Sequence, residues 1–175
     1  MTTVAEIFTA QARLRPGATA VTAPGREALN YRGLNVQVEE VAARLRAMGM
    51  GRNDRVVIAV PNGSERFVLQ LAVMSACIAA PLNPSAHDAE IEEFLIRLHA
   101  SAVIGPTGGD SAAVRVAAKL GIASLELVPR LDGPAGLFRL KAPGGDRPAK
   151  AVPPAAGVAR PEDVVLLLQT SGTTA

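Results

Sequence analysis

Between residues 34 and 128 short aliphatic runs alternate with stretches of helical spacing, and few folds accommodate that order. Leu34, Val38, Val41, Ala42, Leu45 and Met48 fall on one helical face, with Glu39, Glu40, Arg44 and Arg46 elsewhere. The run 55–60 reads as a buried strand, and Pro61-Asn62-Gly63-Ser64 as a turn whose hydroxyl caps the next helix. That helix is expected from Ser64 to about Ala80, apolar almost all round through Phe67, Val68, Leu69, Leu71, Val73, Met74, Cys77 and Ile78. A short strand at 79–84 leads to a helix capped by Asp88, with the stripe Ile91, Phe94, Leu95 and Leu98. Strand 102–104, helix 111–120 and strand 124–128 complete the series. The expected architecture is α/β: a layered, mostly parallel, doubly wound sheet flanked by helices on both faces.

Before this series, Thr3 and Glu6 have the spacing of a capping box for a helix reaching Leu14, which Pro16-Gly17 ends. Runs 19–22 and 27–31, separated by Pro24-Gly25-Arg26, predict a small hairpin. After a brief run at 137–140, residues 142–161 are rich in Ala, Pro and Gly and are expected to be a surface connection. Order restarts at Pro161-Glu162-Asp163, and Val164, Val165, Leu166, Leu167 and Leu168 then read as a strand buried on both faces. The strand breaks into Thr170, Ser171, Gly172, Thr173 and Thr174, a loop dense in O–H and N–H donors of the kind that surrounds a phosphate chain. It is not the G-x-x-x-x-G-K-[ST] loop. Alone it is weak evidence, because hydroxyl-rich segments are common in solvated linkers.

Composition narrows the functional classes. With 49% hydrophobic and 19% charged residues the chain is globular in character, and its net charge of +2 is spread without a basic run. One Tyr, four Phe and no Trp offer no stacking platform, so nucleic-acid binding is not expected. The apolar run from Ser64 is shorter than the ~20 residues a bilayer requires and holds Gln70 and Ser75, which argues against a membrane span. Cys77, the single cysteine, is read as a buried inert thiol inside that helix, consistent with a reducing compartment. Met1-Thr2-Thr3-Val4 starts no signal peptide, and a cytoplasmic location is expected. His87 and His99 are read as surface or capping residues, and Glu90, Glu92 and Glu93 as favourable first-turn charges. No catalytic residue and no metal ligand is assigned. Gly105-Pro106-Thr107-Gly108-Gly109 is read as a plain turn.

Four segments in order resemble one family. Thr170-Ser171-Gly172-Thr173-Thr174 is similar to the T-S-G-T-T-G-x-P-K phosphate loop of the adenylate-forming (AMP-binding) enzymes, and residues 29–34 resemble the early L-[TS]-Y-x-E-L segment. Residues 51–58 with Pro61-Asn62 resemble the G-D-x-V strand and its P-N turn, and residues 79–84 the A-x-x-P-L-N-P signature. The resemblance implies that residues 1–175 are the N-terminal fragment of the large adenylation domain of an acyl-CoA synthetase, with the later subdomain and C-terminal domain absent. Ala175 stands where most members carry glycine; small residues there are similar to an oxalate-CoA ligase-like branch.

The implied chemistry is activation of a small carboxylic acid by ATP, with Mg²⁺, and capture of the acyl-adenylate by coenzyme A. Thr170, Ser171, Gly172, Thr173 and Thr174 would bind the phosphates, and the fragment alone is expected to be inactive. Two alternatives stay open: a free-standing nucleotide- or phosphate-binding module, and a structural fragment working by association. The identity of the acid and the oligomeric state are not readable from these residues.

Overall fold

The computed structural model describes residues 2–83, 85–108, 111–142 and 159–169. The first helix, α1 (Val4–Leu14), begins with the expected capping box: the Glu6 N–H donates to Thr3 Oγ1 at 3.2 Å, and the Thr3 N–H donates to Glu6 Oε2 at 2.8 Å. Strands β1 (Thr19–Val21) and β2 (Leu29–Asn30) form the antiparallel hairpin. The hairpin is shorter than expected because Asn30 caps the following helix, accepting from the Gly33 N–H at 2.8 Å. Tyr31 therefore opens α2 (Tyr31–Ala47), whose Leu34, Val38, Val41, Ala42 and Leu45 are buried, as the spacing predicts.

The main sheet contains β3 (Arg55–Ile58), β4 (Ile78–Pro81), β5 (Ala102–Pro106), β6 (Ala123–Pro129) and β7 (Phe138–Lys141) in the order β4-β3-β5-β6-β7. The first four run parallel, and β7 pairs antiparallel with β6 at one edge. The helices between them are α3 (Ser64–Met74), α4 (Asp88–Leu98) and α5 (Ala112–Lys119). Alternation along the strands divides the core into two. Val56, Ile58, Ala102 and Ile104 pack with α2 and α3, whereas Val57, Ala59, Ala80 and Val103 pack with Ile91, Phe94 and Leu95 of α4 and Val116 of α5. This is the doubly wound layer expected from the sequence.

Three boundaries differ from expectation. The helix from Ser64 ends at Met74, and Ile78, Ala79 and Ala80 belong to β4, paired in register with Arg55, Val56 and Val57. No Gly or Pro marks the break; Ser75 Oγ donates back to the Leu71 carbonyl at 2.9 Å and the chain turns through Ala76 and Cys77. Cys77 thus lies in the turn and not in a helix. Ser64 is the first helical residue rather than the cap: Gly63 occupies the cap position, and Ser64 Oγ donates to Glu65 Oε2 at 2.9 Å. Asp88 is likewise the first helical residue, with His87 at the cap and the His87 N–H donating to Glu90 Oε2 at 3.1 Å. His99 closes α4 in the left-handed region, φ 50°.

Gly136 joins β7 to the first core. It sits at φ +84°, and a Cβ there would lie 2.7 Å from Val68 Cγ2 and 3.3 Å from the Ser64 carbonyl oxygen. Gly136→Ala should cost about 1–3 kcal/mol of stability by denaturant titration from the backbone conformation, with the clash against the buried α3 added to that. Gly25→Ala is the control, since Gly25 has φ +69° but open space around its Cβ position. Equal losses in the two variants would show that the contact with Val68 is unimportant.

Candidate functional site

The strand expected at 164–168 joins the sheet beside β4. The Ala79 N–H donates to the Val165 carbonyl and the Leu167 N–H donates to the Ala79 carbonyl, both at 2.9 Å, forming a parallel bridge between Ala79 and Leu166. The segment therefore runs in the same direction as β3, β4 and β5. In open parallel sheets this carboxyl edge is where ligands sit, and the order β4-β3-β5 places the reversal of winding between β3 and β5.

Its burial is not as expected. Leu166 packs against the first core, but Val164 is 55% and Leu168 69% exposed. The reason is position: β4 covers one flank of the segment, and among the described residues no strand lies on the other. An aliphatic run buried on both faces and the same run at a sheet margin look alike as sequence.

The segment is anchored at its start. Arg52, in the turn before β3, donates from Nε to Asp163 Oδ1 at 2.7 Å and Oδ2 at 2.6 Å, with Nη2 against Oδ1 at 2.5 Å. Asp163 Oδ2 also accepts from the Arg160 N–H at 2.8 Å, and its side chain is only 7% exposed. Hydrogen bonding from Arg52 holds the Asp163 carboxyl below the usual carboxylate range, and the same bond raises the Arg52 guanidinium. Sequence reading missed this pair. The residues lie far apart in the chain, and only proximity reveals the partnership.

The segments that carry the family resemblance have local structural tasks. Asn53 turns the chain at φ 71°, a conformation Asn tolerates, and Asp54 closes that turn by accepting from the Gly51 N–H and Ser101 Oγ, both at 2.8 Å. Residues 79–83 are β4 and its exit, where Asn83 Oδ1 accepts from the Ser85 N–H at 3.0 Å. At the end of β3, Arg66 Nη1 donates to the Val60 carbonyl at 2.7 Å, and burial lowers the pKa of its guanidinium. Thr170, Ser171, Gly172, Thr173 and Thr174 lie outside the described residues; Gln169 is the last described residue before them.

Other candidates are weaker. Burial, with Asp54 nearby, pushes the Cys77 thiol up to about 12, so it is almost entirely protonated near neutral pH and is no nucleophile. Among the described residues no group of three or more His, Cys, Asp or Glu could hold a metal ion, and no helix is long and apolar enough to cross a membrane. A cavity of about 260 Å³ between α2 and β7, lined by Gln37, Glu40, Arg44 and Arg139 among others, lies at the opposite edge of the sheet from residues 164–168. Its volume is below that of typical ligand pockets.

A doubly wound α/β layer with a parallel strand added at its margin defines the class. The chain belongs to the AMP-binding enzyme family, which matches residues 8–175. It is 35% identical over 157 residues to a probable CoA ligase, CCL9, of Humulus lupulus, covering 89% of this chain and 29% of that protein. It is 38% identical over 94 residues to surfactin synthase subunit 2 of Bacillus subtilis, covering 53% of this chain and 3% of that one. Among solved structures, apo MatB from Rhodopseudomonas palustris superposes with a TM-score of 0.69 at 26% identity, over 97% of this chain and 33% of that chain. A protein from the same organism described as a putative long-chain-fatty-acid CoA ligase gives 0.63 at 27% identity, over 76% and 35%. The chain thus spans under a third of the hop protein's length.

Proposed function

We propose that residues 1–175 form the N-terminal part of the large adenylation domain of an ATP-dependent acyl-CoA synthetase. In the reaction, a carboxylate oxygen of the acid attacks the α-phosphorus of ATP and pyrophosphate leaves with the electron pair of the broken P–O bond. The thiol of coenzyme A then attacks the acyl carbon of the adenylate, losing its proton, and AMP departs. The hydroxyl and N–H donors of Thr170, Ser171, Thr173 and Thr174 hold the β- and γ-phosphates while charge moves onto the leaving group, and Gly172 lets the backbone approach. Mg²⁺, when bound, shares that charge. No described residue is assigned to it, because the described residues hold no suitable ligand cluster. Such chemistry depends on positioning and electrostatics and asks for no nucleophile in this chain.

The observation that carries the reading is the parallel docking of residues 164–168 on β4, which directs the chain toward the carboxyl edge just before the hydroxyl loop. Family membership and the likeness to a probable CoA ligase support it. Coenzyme A as acceptor, a small carboxylic acid as substrate, a cytoplasmic location and the oxalate-CoA ligase-like branch, which rests on Ala175, belong to the same proposal. ATP–pyrophosphate exchange tests it. The isolated 175-residue chain should give background exchange, and a chain extended through the family's later segments should give exchange that depends on a carboxylic acid. Exchange by the isolated chain would show that the missing part is not required.

The 55% and 69% exposure of Val164 and Leu168 favours a second reading, in which this piece acts by association. A free-standing phosphate-binding module is separated from both by calorimetry, since it would bind ATP with Mg²⁺ tightly using these residues alone.

A further inference from the structure

We infer that Arg52 and Asp163 are positioning residues: their clasp sets the register of residues 164–168 on β4 and thereby aims the residues that follow Gln169. The functional half of this inference rests on the reading of those residues as a phosphate loop. Three observations carry it. Among the described residues the segment meets the sheet through two backbone hydrogen bonds, both to Ala79, where the neighbouring β3–β4 pair is in register over four residues. Two bonds to one residue leave a segment free to fray or slip, and a slip of one position would turn its side chains to the opposite face. Leu166 would then leave the core, and the half-buried Val165 or Leu167 would take its place.

The clasp opposes that slip. It lies next to the first residue of the segment, contacts both carboxylate oxygens through a planar guanidinium, and is reinforced by the Arg160 N–H on the same carboxylate. Its other end is fixed to the framework. Arg52 sits in the turn that leads into β3, and that turn is closed by Asp54, which accepts from the Gly51 N–H and, through Ser101 Oγ, ties to the residue before β5. A tether from the centre of the sheet thus reaches across β4 to the margin. The geometry demands the planar fork of arginine, so a lysine at 52 would keep the charge and lose the paired contact.

Amide hydrogen exchange on the 175-residue chain tests the clasp. In Asp163→Asn and Arg52→Gln the Leu167 and Ala79 amides should exchange about tenfold faster or more, while the Ala59 amide, which donates to Ile104 across β3 and β5, should be unchanged. Uniform acceleration would mean a general stabiliser, and no change would mean an ornament; either overturns the inference. In the longer enzyme, Arg52→Gln should raise the KM for ATP about tenfold with little change in the KM for the acid, Arg52→Lys should rescue it only in part, and the exchanged pair Arg52→Asp with Asp163→Arg should rescue more than either single reversal. Faster Leu167 exchange with an unaltered KM for ATP would leave the clasp standing and overturn its role in aiming the loop. An enzyme without ATP-dependent exchange would defeat the synthetase reading, while the hydrogen-exchange result would still decide the clasp.

Discussion

Leu95→Ala is expected to lower the stability of this protein by about 3–5 kcal/mol, the upper part of the range for removing a buried leucine. Leu95 is fully buried on α4, in the core on the face opposite α2 and α3. Ala59, Ala80, Ala113 and Ala117 belong to the same buried cluster. Alanines have no rotamers with which to move into a void, so most of the space would stay empty and the cavity cost would add to the transfer cost. Against the roughly 5–15 kcal/mol that holds a domain of this kind together, the loss is a large fraction. Ile96→Ala, one residue on but 56% exposed, should stay within about 0.5 kcal/mol. Urea titration of the two variants checks the argument, and a Leu95→Ala loss below about 1 kcal/mol would show that this face repacks.

Removing the hydroxyls of the proposed loop should abolish most activity in the extended synthetase proposed above. Ser171→Ala with Thr173→Ala is expected to reduce ATP–pyrophosphate exchange by about 100-fold or more, the usual cost of deleting a donor aimed at developing negative charge. Gly172→Val should be at least as severe, because a β-branched side chain blocks the close backbone approach that glycine permits. Neither change should alter the thermal transition much, since each leaves every residue of the two described hydrophobic cores in place. Exchange within about threefold of the parent, at saturating ATP, would remove these residues from the phosphate site.

The legible parts of the fold are those fixed by local chemistry. The capping box at Thr3 and Glu6, the stripe from Leu34 to Leu45 and the short β-rich runs at 55–58 and 102–104 each declare an element through spacing alone. Where tertiary pairing decides, the sequence is ambiguous. Residues 75–80 carry no breaker, and they leave the helix because parallel pairing with β3 absorbs Ile78 to Ala80. The burial of 164–168 depends on whether a strand lies on each flank, which no property of five aliphatic residues encodes. The candidate site was legible only through the family likeness of residues 170–174, since hydroxyls around a glycine also suit a solvated linker. Arg52 and Asp163 have no shared local pattern, and the link between them exists only in the folded chain.

The bridge between Ala79 and Leu166 also has a kinetic meaning. Strands β3 to β6 meet neighbours close by in the chain and can zip up as they are synthesised, whereas the marginal segment must wait until the whole intervening polypeptide has emerged. Until then one side of β4 stands uncovered. Nascent molecules would pass through an interval in which a neighbour's strand competes for that vacancy, so the speed of translation and the presence of chaperones should govern yield more than final stability does.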